Sequence, residues 1–347
     1  MAEPQGALLV GSINLPDAET TFRAAADILG DRLKRIPDGE VGDRFHWIIF
    51  QADILGTVDG LERVGDEPVY LRNLDTRGLR VAEGVDPATL VLPPLGYAAS
   101  ALESWEVFRT LRDAGEIPAT TRFQVSLPTP AAVVGAFFGP TDQAAIEPVY
   151  AEALYRELDE ILAGIPHDSL AIQWDTAVEF GLIEFAGYGT AFEAWFDDVW
   201  IGVIERAAEQ AGRVPVGVEL GFHFCYGDAG EQHFFEPTDT ANLVKFARLL
   251  FATAPRHIDW IHLPVPIGRD DDEYFAPLED LAVPAGTEVY LGLVHREDGA
   301  EGARRRAKVA SRHFSPFGVA TECGCGRAPE DATIPLLEAH RDVAAAW

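Results

Sequence analysis

A chain of 347 residues with 48% hydrophobic and 24% charged side chains has the composition of a globular protein with a large core, which excludes disordered and collagen-like classes. Its formal net charge of −29, with three lysines (Lys34, Lys245, Lys308), argues against nucleic acid and anionic membrane surfaces as partners. Three cysteines, of which Cys323 and Cys325 are close neighbours, are too few for a disulfide framework, so another use for them is expected.

The N-terminus runs from Met1-Ala2-Glu3-Pro4 directly into the apolar segment Ala7 to Val10, without the basic and long apolar regions of a signal peptide. No apolar run reaches the ~20 residues of a bilayer span, and the expected location is the cytoplasm. In chain order, short β-rich runs fall at 7–11, 33–36, 121–126, 169–174, 215–220, 258–262, 288–292 and 317–320. Segments of helical period lie at 17–29, 43–56, 100–113, 142–163, 190–211, 239–252, 276–281, 300–312 and 331–346. In the first of them Phe22, Ala25, Ala26, Ile28 and Leu29 recur at helical spacing, Pro16-Asp17 starts the helix and Gly30 closes it.

The stretch 57–99, rich in Pro, Gly and Asp, fits no strand and helix unit and reads as an insertion. Its segment Leu92-Pro93-Pro94-Leu95-Gly96-Tyr97 is apolar enough to cover a site. Alternation of strand and helix predicts a parallel sheet, and eight units allow it to close as a single (β/α)8 TIM barrel over 1–347, an α/β fold. An open doubly wound sheet is the alternative. It lacks its Gly-rich fingerprint, because Gly11-Ser12-Ile13-Asn14 follows the first strand.

Barrel active sites lie at the C-terminal ends of the strands. There the chain offers Ser12 after the first strand, Asp38 and Glu40 after the second, Asp175 after the fourth and His223 with Cys225 after the fifth. His262, His295 and the pair Cys323 and Cys325 follow the sixth, seventh and eighth. In an extended segment residues i and i+2 point the same way, so the imidazole of His223 and the thiolate of Cys225 can meet one ion, with Cys323 joining from the last strand. Such a soft three-ligand set suits Zn2+ and leaves a fourth position for substrate. Taken singly these residues have blander readings. A buried cysteine is usually inert packing, and Glu40 or Asp175 would equally cap a helix or pair with arginine. Asp270-Asp271-Asp272-Glu273 reads as a solvated loop. Phe180, Phe185, Tyr188, Phe192 and Trp195 would line an apolar pocket or, as helix-period aromatics usually do, belong to the core.

Over nearly its whole length the chain resembles the catalytic, C-terminal barrel of cobalamin-independent methionine synthase and its shorter relatives. Gly11-Ser12 with Pro16 is similar to the family's first-strand motif, Pro37-Asp38-Gly39-Glu40 to its Asp-Gly-Glu segment, and Ile172-Gln173-Trp174-Asp175 to the strand bearing a substrate-binding aspartate. His223-Phe224-Cys225-Tyr226-Gly227 looks like the His-x-Cys zinc motif, and Glu322-Cys323-Gly324 like the Asp-Cys-Gly that completes it. The resemblance implies zinc on His223, Cys225 and Cys323, Ser12 and Glu40 orienting the polar end of the substrate, Asp175 holding an ammonium, and a zinc-activated thiol attacking a methyl donor. Glu40 and Asp175 are thereby the expected catalytic carboxylates.

Two departures shape the expectation. The synthases have an additional N-terminal half that helps bind the polyglutamylated folate donor, and this chain corresponds to the barrel alone, so another donor is expected, a small molecule or a corrinoid protein. The family also has a zinc-ligating glutamate near the end of the sixth strand, where Pro264 stands here. A His, Cys, Cys set resembles the branch with epoxyalkane:coenzyme M transferase, in which a different thiol is activated. The leading expectation is therefore transfer of a methyl or other alkyl group to a small-molecule thiol. A zinc-dependent C–S lyase or epoxide:thiol transferase, a metal-free relative of uroporphyrinogen decarboxylase, and a non-catalytic zinc protein with its fourth position closed by Cys325 or His262 stay open beside it.

Overall fold

All eight β-rich runs become strands of one parallel sheet in the computed structural model, which describes residues 3–185, 193–227 and 232–347. They are β1 (Ala7–Leu8), β2 (Arg35–Pro37), β3 (Arg122–Pro128), β4 (Leu170–Thr176), β5 (Glu219–Phe224), β6 (Trp260–Pro264), β7 (Glu288–Val294) and β8 (Gly318–Thr321). The order runs β2 to β8 in sequence and then to β1. Isolated parallel bridges from Ala7 to Leu33 and from Ser12 to Gly39 join β1 back to β2, so the sheet is a nearly closed (β/α)8 barrel surrounded by helices. Strands covered on the inside by side chains and on the outside by helices should be buried throughout. Every residue of β4 is.

The helices pack their apolar stripes on this ring. In Ala18–Leu29, Asp17 caps the first turn through Thr20 N at 2.7 Å, and Phe22 packs edge-on against Phe108 and Phe123. Two short helices not evident in the sequence follow strands directly: Pro130–Phe137, capped by Thr129, after β3, and Val178–Glu184 after β4. The expected helix over 43–56 is interrupted. A 3-10 turn covers Gly42–His46 and an α-helix Gln51–Leu55, with Trp47 at φ +55° between them. A left-handed residue cannot continue a right-handed helix, so the chain turns there. No described helix is long and apolar enough to cross a membrane.

The insertion is ordered as two antiparallel hairpins, Leu61–Arg63 with Leu79–Val81 and Tyr70–Leu71 with Leu74–Asp75. Its apolar segment is not the cover expected for a site. Leu92 and Leu95 are buried in the core, and the backbone amides of Leu95 and Ala98 donate to the buried carboxylate of Glu157 at 2.5 and 2.6 Å. Leu71 of the second hairpin lines a cavity at the C-terminal ends of the strands.

At the N-terminal end of the strands the barrel is closed by a charged plug. Arg35, 2% exposed, donates to Glu219 at 2.7 Å and to Glu288 at 2.9 Å, and its guanidinium lies 4.0 Å from the centre of the Trp260 ring. Tyr290 donates to Glu288 at 2.7 Å, and Lys34 also pairs with Glu288. Trp260 fits because its strand neighbour Gly221 has no side chain; a Cβ there would collide with the indole.

Candidate functional site

At the opposite end of the strands, the last residues of β4 and β5 and the loops after β1, β2, β5 and β8 bring Ser12, Glu40, Asp175, His223, Cys225 and Cys323 to one cavity of about 410 Å3. The residues proposed from the sequence are thus spatial neighbours. One donor atom each from His223, Cys225 and Cys323 lie within 4.8 Å of one another. The two Sγ atoms are 3.5 Å apart, and Cys323 Sγ is 3.7 Å from His223 Nε2. His223 and Cys225 converge because β5 is extended through His223 and ends at Phe224, as the i, i+2 argument requires.

The histidine is held in a particular state. His223 Nδ1 is 2.7 Å from His262 Nδ1, and His262 Nε2 is 3.0 Å from the carbonyl oxygen of Thr321. Burial pushes the His223 pKa well below the ordinary value, with His262 and Arg327 adding to the effect. Burial likewise lowers His262 to about 4, against the opposing carbonyls of Thr321 and Phe224. Both rings are therefore neutral at pH 7, the form that ligates metals. His262, an expected alternative for closing the fourth position, has both nitrogens turned to other partners.

Glu40 and Asp175 form a second constellation. Burial raises Glu40 to about 7; Asp38 adds to this, and Arg44 and Arg327 oppose it. Asp175 is raised well above the usual carboxylate range by burial and then by Glu40, although Gln173 donates to its Oδ1 at 2.9 Å. Desolvation and mutual repulsion keep this pair from carrying two full charges at neutral pH. Glu40 itself sits at φ +49°, an uncommon backbone conformation for a side chain other than glycine, after Gly39 at +83°. Asp38 sustains that conformation. Its Oδ1 accepts from Glu40 N at 2.9 Å, while its Oδ2 takes Arg44 at 2.6 Å and Ser104 at 2.8 Å. Asp38 is accordingly a positioning residue for Glu40, not a wall of the cavity.

Ser12 is held against the loop after β8. Its carbonyl accepts from Cys325 N at 2.8 Å and its Oγ from Gly326 N at 3.4 Å. A Cβ at Gly324 or Gly326 would strike the Ser12 side chain, so the small residues in Cys323-Gly324-Cys325-Gly326 are required by close approach. Cys325 lies outside the three-atom donor group and faces a second cavity of about 590 Å3. Cys225 and Cys323 border both cavities. His295 and Glu322 belong to the second, where Glu322 Oε1 lies 3.0 Å from His233 Nε2 and Oε2 lies 3.8 Å from His295 Nδ1. Burial works to lower His233 but is outweighed by Glu322 and Glu236, which raise it to about 9.

His46, Trp47, Ile48 and Ile49, placed by the helix break, also line the first cavity, as do Phe234 and Arg327. The stretch from His46 to Ile49 was not legible in the sequence, since a helix through 43–56 would point successive residues in different directions. Phe180 packs on Phe224 and Phe246 in the core, Phe185 packs on Phe235, and Trp195 donates to Glu147. None of these three lines either cavity. Tyr188 and Phe192 lie outside the described residues. The acidic run 270–273 caps a short helix through Asp271 and pairs Asp272 with Arg312 and His313, in keeping with a solvated loop.

Among solved structures the chain is similar to a B12-independent methionine synthase from Shewanella sp. W3-18-1 in complex with selenomethionine, with a TM-score of 0.57 and 16% identity, covering 98% of this chain and 96% of that one. A putative vitamin-B12 independent methionine synthase from Listeria monocytogenes gives a TM-score of 0.57 at 15% identity over 99% of both chains. A methyltransferase from Methanosarcina mazei gives 0.55 at 12% identity over 98% of this chain and 93% of that one. No protein-family model and no curated protein matches the chain. At these identities the likeness is one of fold, and it extends over nearly the whole chain.

Proposed function

We propose that the protein transfers a methyl or other alkyl group to a small-molecule thiol, using a zinc ion held by His223, Cys225 and Cys323. The observation that carries this reading is the convergence of one imidazole and two sulfur atoms within 4.8 Å on the border between two cavities. Two soft thiolates and a neutral imidazole fit zinc, and three protein ligands are the number found where a position is kept for substrate. Bound there, zinc supplies the Lewis acidity that keeps a coordinated thiol deprotonated near neutral pH.

The other roles belong to the chain's own side chains. Ser12, Glu40 and Asp175 orient the polar end of the acceptor, and a partly protonated carboxyl pair is suited to an ammonium because binding restores the charge that burial suppresses. The apolar wall of Trp47, Ile48, Ile49 and Leu71 excludes water from the sulfur. With the acceptor in the first cavity, the second offers the donor an approach to the same sulfur, which saves the entropy of a bimolecular encounter. In the transfer the thiol sulfur forms the new S–C bond, the leaving group departs with the electron pair of the broken bond, and the thiol proton is released on binding. We propose a small molecule or a corrinoid protein as the donor. Carbon–sulfur lysis or epoxide opening would use the same groups, and product analysis separates them.

Elemental mass spectrometry of the reduced protein tests the metal, beside Cys225→Ser and Cys323→Ser. About one zinc per chain, lost in both variants together with thiol alkylation, is expected. No stoichiometric metal after reconstitution under reducing conditions would overturn the proposal.

A further inference from the structure

We infer that His262 is the positioning residue that makes His223 a metal ligand: it fixes the Nδ1–H tautomer of His223, so that Nε2 carries the lone pair facing the two cysteine sulfurs. The inference rests on the proposed metal site and adds to it a residue outside the ligand set.

The two ring-nitrogen contacts of His262 at 3.0 Å or less leave one arrangement. A carbonyl oxygen can only accept, so the His262 nitrogen 3.0 Å from Thr321 O, Nε2, carries the hydrogen. In a neutral ring Nδ1 is then an acceptor. Across 2.7 Å it faces His223 Nδ1, and that nitrogen must donate. A neutral His223 protonated at Nδ1 has its free lone pair on Nε2, the atom 3.7 Å from Cys323 Sγ. Were the His262 tautomer reversed, the hydrogen of His223 would sit on Nε2 and block the ligand position. Such an orienting partner behind a ligating imidazole contributes tautomer, ring orientation and basicity.

Placement on three strands makes this a built feature. His262 is the direct register partner of His223 across the β5–β6 pair, and the two ring centres are 4.7 Å apart. Its other nitrogen reaches over β7 to Thr321 on β8, two residues before Cys323. Gly292 on β7 leaves that path open, since a Cβ there would come within 3.1 Å of His262 Nε2 and would also press on Glu322 Cα. One fully buried side chain therefore joins the strand that supplies His223 to the strand that leads to Cys323.

Two substitutions separate the acceptor from the donor. Asparagine at this position places its Oδ1 near the site of imidazole Nδ1 and can accept from His223, whereas glutamine keeps a donor for Thr321 near the site of Nε2 and offers His223 nothing. Zinc affinity is measured on the reduced full-length chain by competition with a chromophoric chelator, with cooperative urea unfolding as the check on folding. His262→Asn should stay close to wild type, and His262→Gln should bind roughly 10- to 100-fold more weakly. Equal affinities of the two variants overturn the inference. So does a second imidazole in the zinc X-ray absorption spectrum of the wild type, which would make His262 itself a ligand. Long-range nitrogen-15 correlation spectra of the wild-type histidines read the tautomers without any substitution: Nδ1–H on His223 and Nε2–H on His262 are expected, and the reverse pair overturns the inference. A wild-type protein that binds no zinc would instead sink the metal reading beneath it.

Discussion

The two ends of the barrel both bury charge, and they treat it in opposite ways. At the closed end Arg35 is surrounded by Glu219, Glu288 and Tyr290. Burial works against its charge, yet the neighbours hold its guanidinium more firmly protonated than usual, and Glu288 is in turn held below the ordinary carboxylate range by Arg35 and Lys34. At the open end Glu40 and Asp175 are pushed up, and His223 and His262 are pushed down, so each group is driven toward its neutral form. The plug has its partners built in; the open end leaves its groups to the metal and substrate proposed for it. Buried groups with shifted protonation mark a functional end on this reading, whereas an equally buried but mutually satisfied set marks a structural one.

The largest effect should come from breaking the closed end. Arg35→Met removes the cation from two acids and should cost about 3–5 kcal/mol in chemical denaturation, since unpaired buried charge is left behind, with zinc stoichiometry unchanged in whatever folded protein remains. A loss of metal at unchanged stability would dissolve the distinction between the two ends.

Glu40→Gln should act in the other direction on stability. The folded pKa of Glu40, about 7, lies above the value of 4.5 for a free glutamate, so the native state holds a proton that the unfolded state has released; stability falls as pH rises from 4.5 through 7 and stays low above it. Removing the carboxyl should relieve a penalty on the order of 3 kcal/mol at pH 8, less whatever Arg44 and Arg327 return, while the affinity for an amine-bearing thiol drops. Glu288 has the opposite sign: its folded pKa lies below 4.5, and its contribution is present above that pH and lost as pH falls through the lowered value. Urea unfolding of wild type and Glu40→Gln at pH 5 and pH 8 checks this. A variant no more stable than wild type at pH 8 would mean that the open end is already compensated.

Gly324→Ala should cost about 1–3 kcal/mol by forcing the loop after β8 off Ser12, and it should weaken metal binding more than it lowers stability, because Cys323 is the adjoining residue. Zinc competition and unfolding on the same preparation measure both. At the smallest end, Asp272→Ala in the acidic run should leave metal content and activity unchanged; lost zinc would give that run a role it lacks in the structure.

The open end, though not the plug, was present in the sequence in outline. The eight strands were legible because β-rich runs and helical periods are local patterns. The i, i+2 spacing of His223 and Cys225 was legible for the same reason, and so was the separate placement of Ser12, Glu40, Asp175 and Cys323 after their strands. The break at Trp47 was not, because nothing within 43–56 marks a left-handed tryptophan, and with it went the cavity wall from His46 to Ile49. The burial of Leu95 was missed too. Its apolar neighbourhood signals burial without saying whether a substrate or the carboxylate of Glu157 is the partner.

By itself the sequence determined the order of the elements and the ends of the strands at which the reactive side chains stand, since each depends on residues within a few positions of one another. Only the tertiary structure decided that Arg35 meets Glu219 and Glu288, that Cys225 and Cys323 sulfurs lie 3.5 Å apart, and that His262 stands between His223 and Thr321. Those contacts join residues on different strands, and a strand's position in the ring, its register and the missing side chain of a glycine such as Gly292 are set by packing that no local pattern contains.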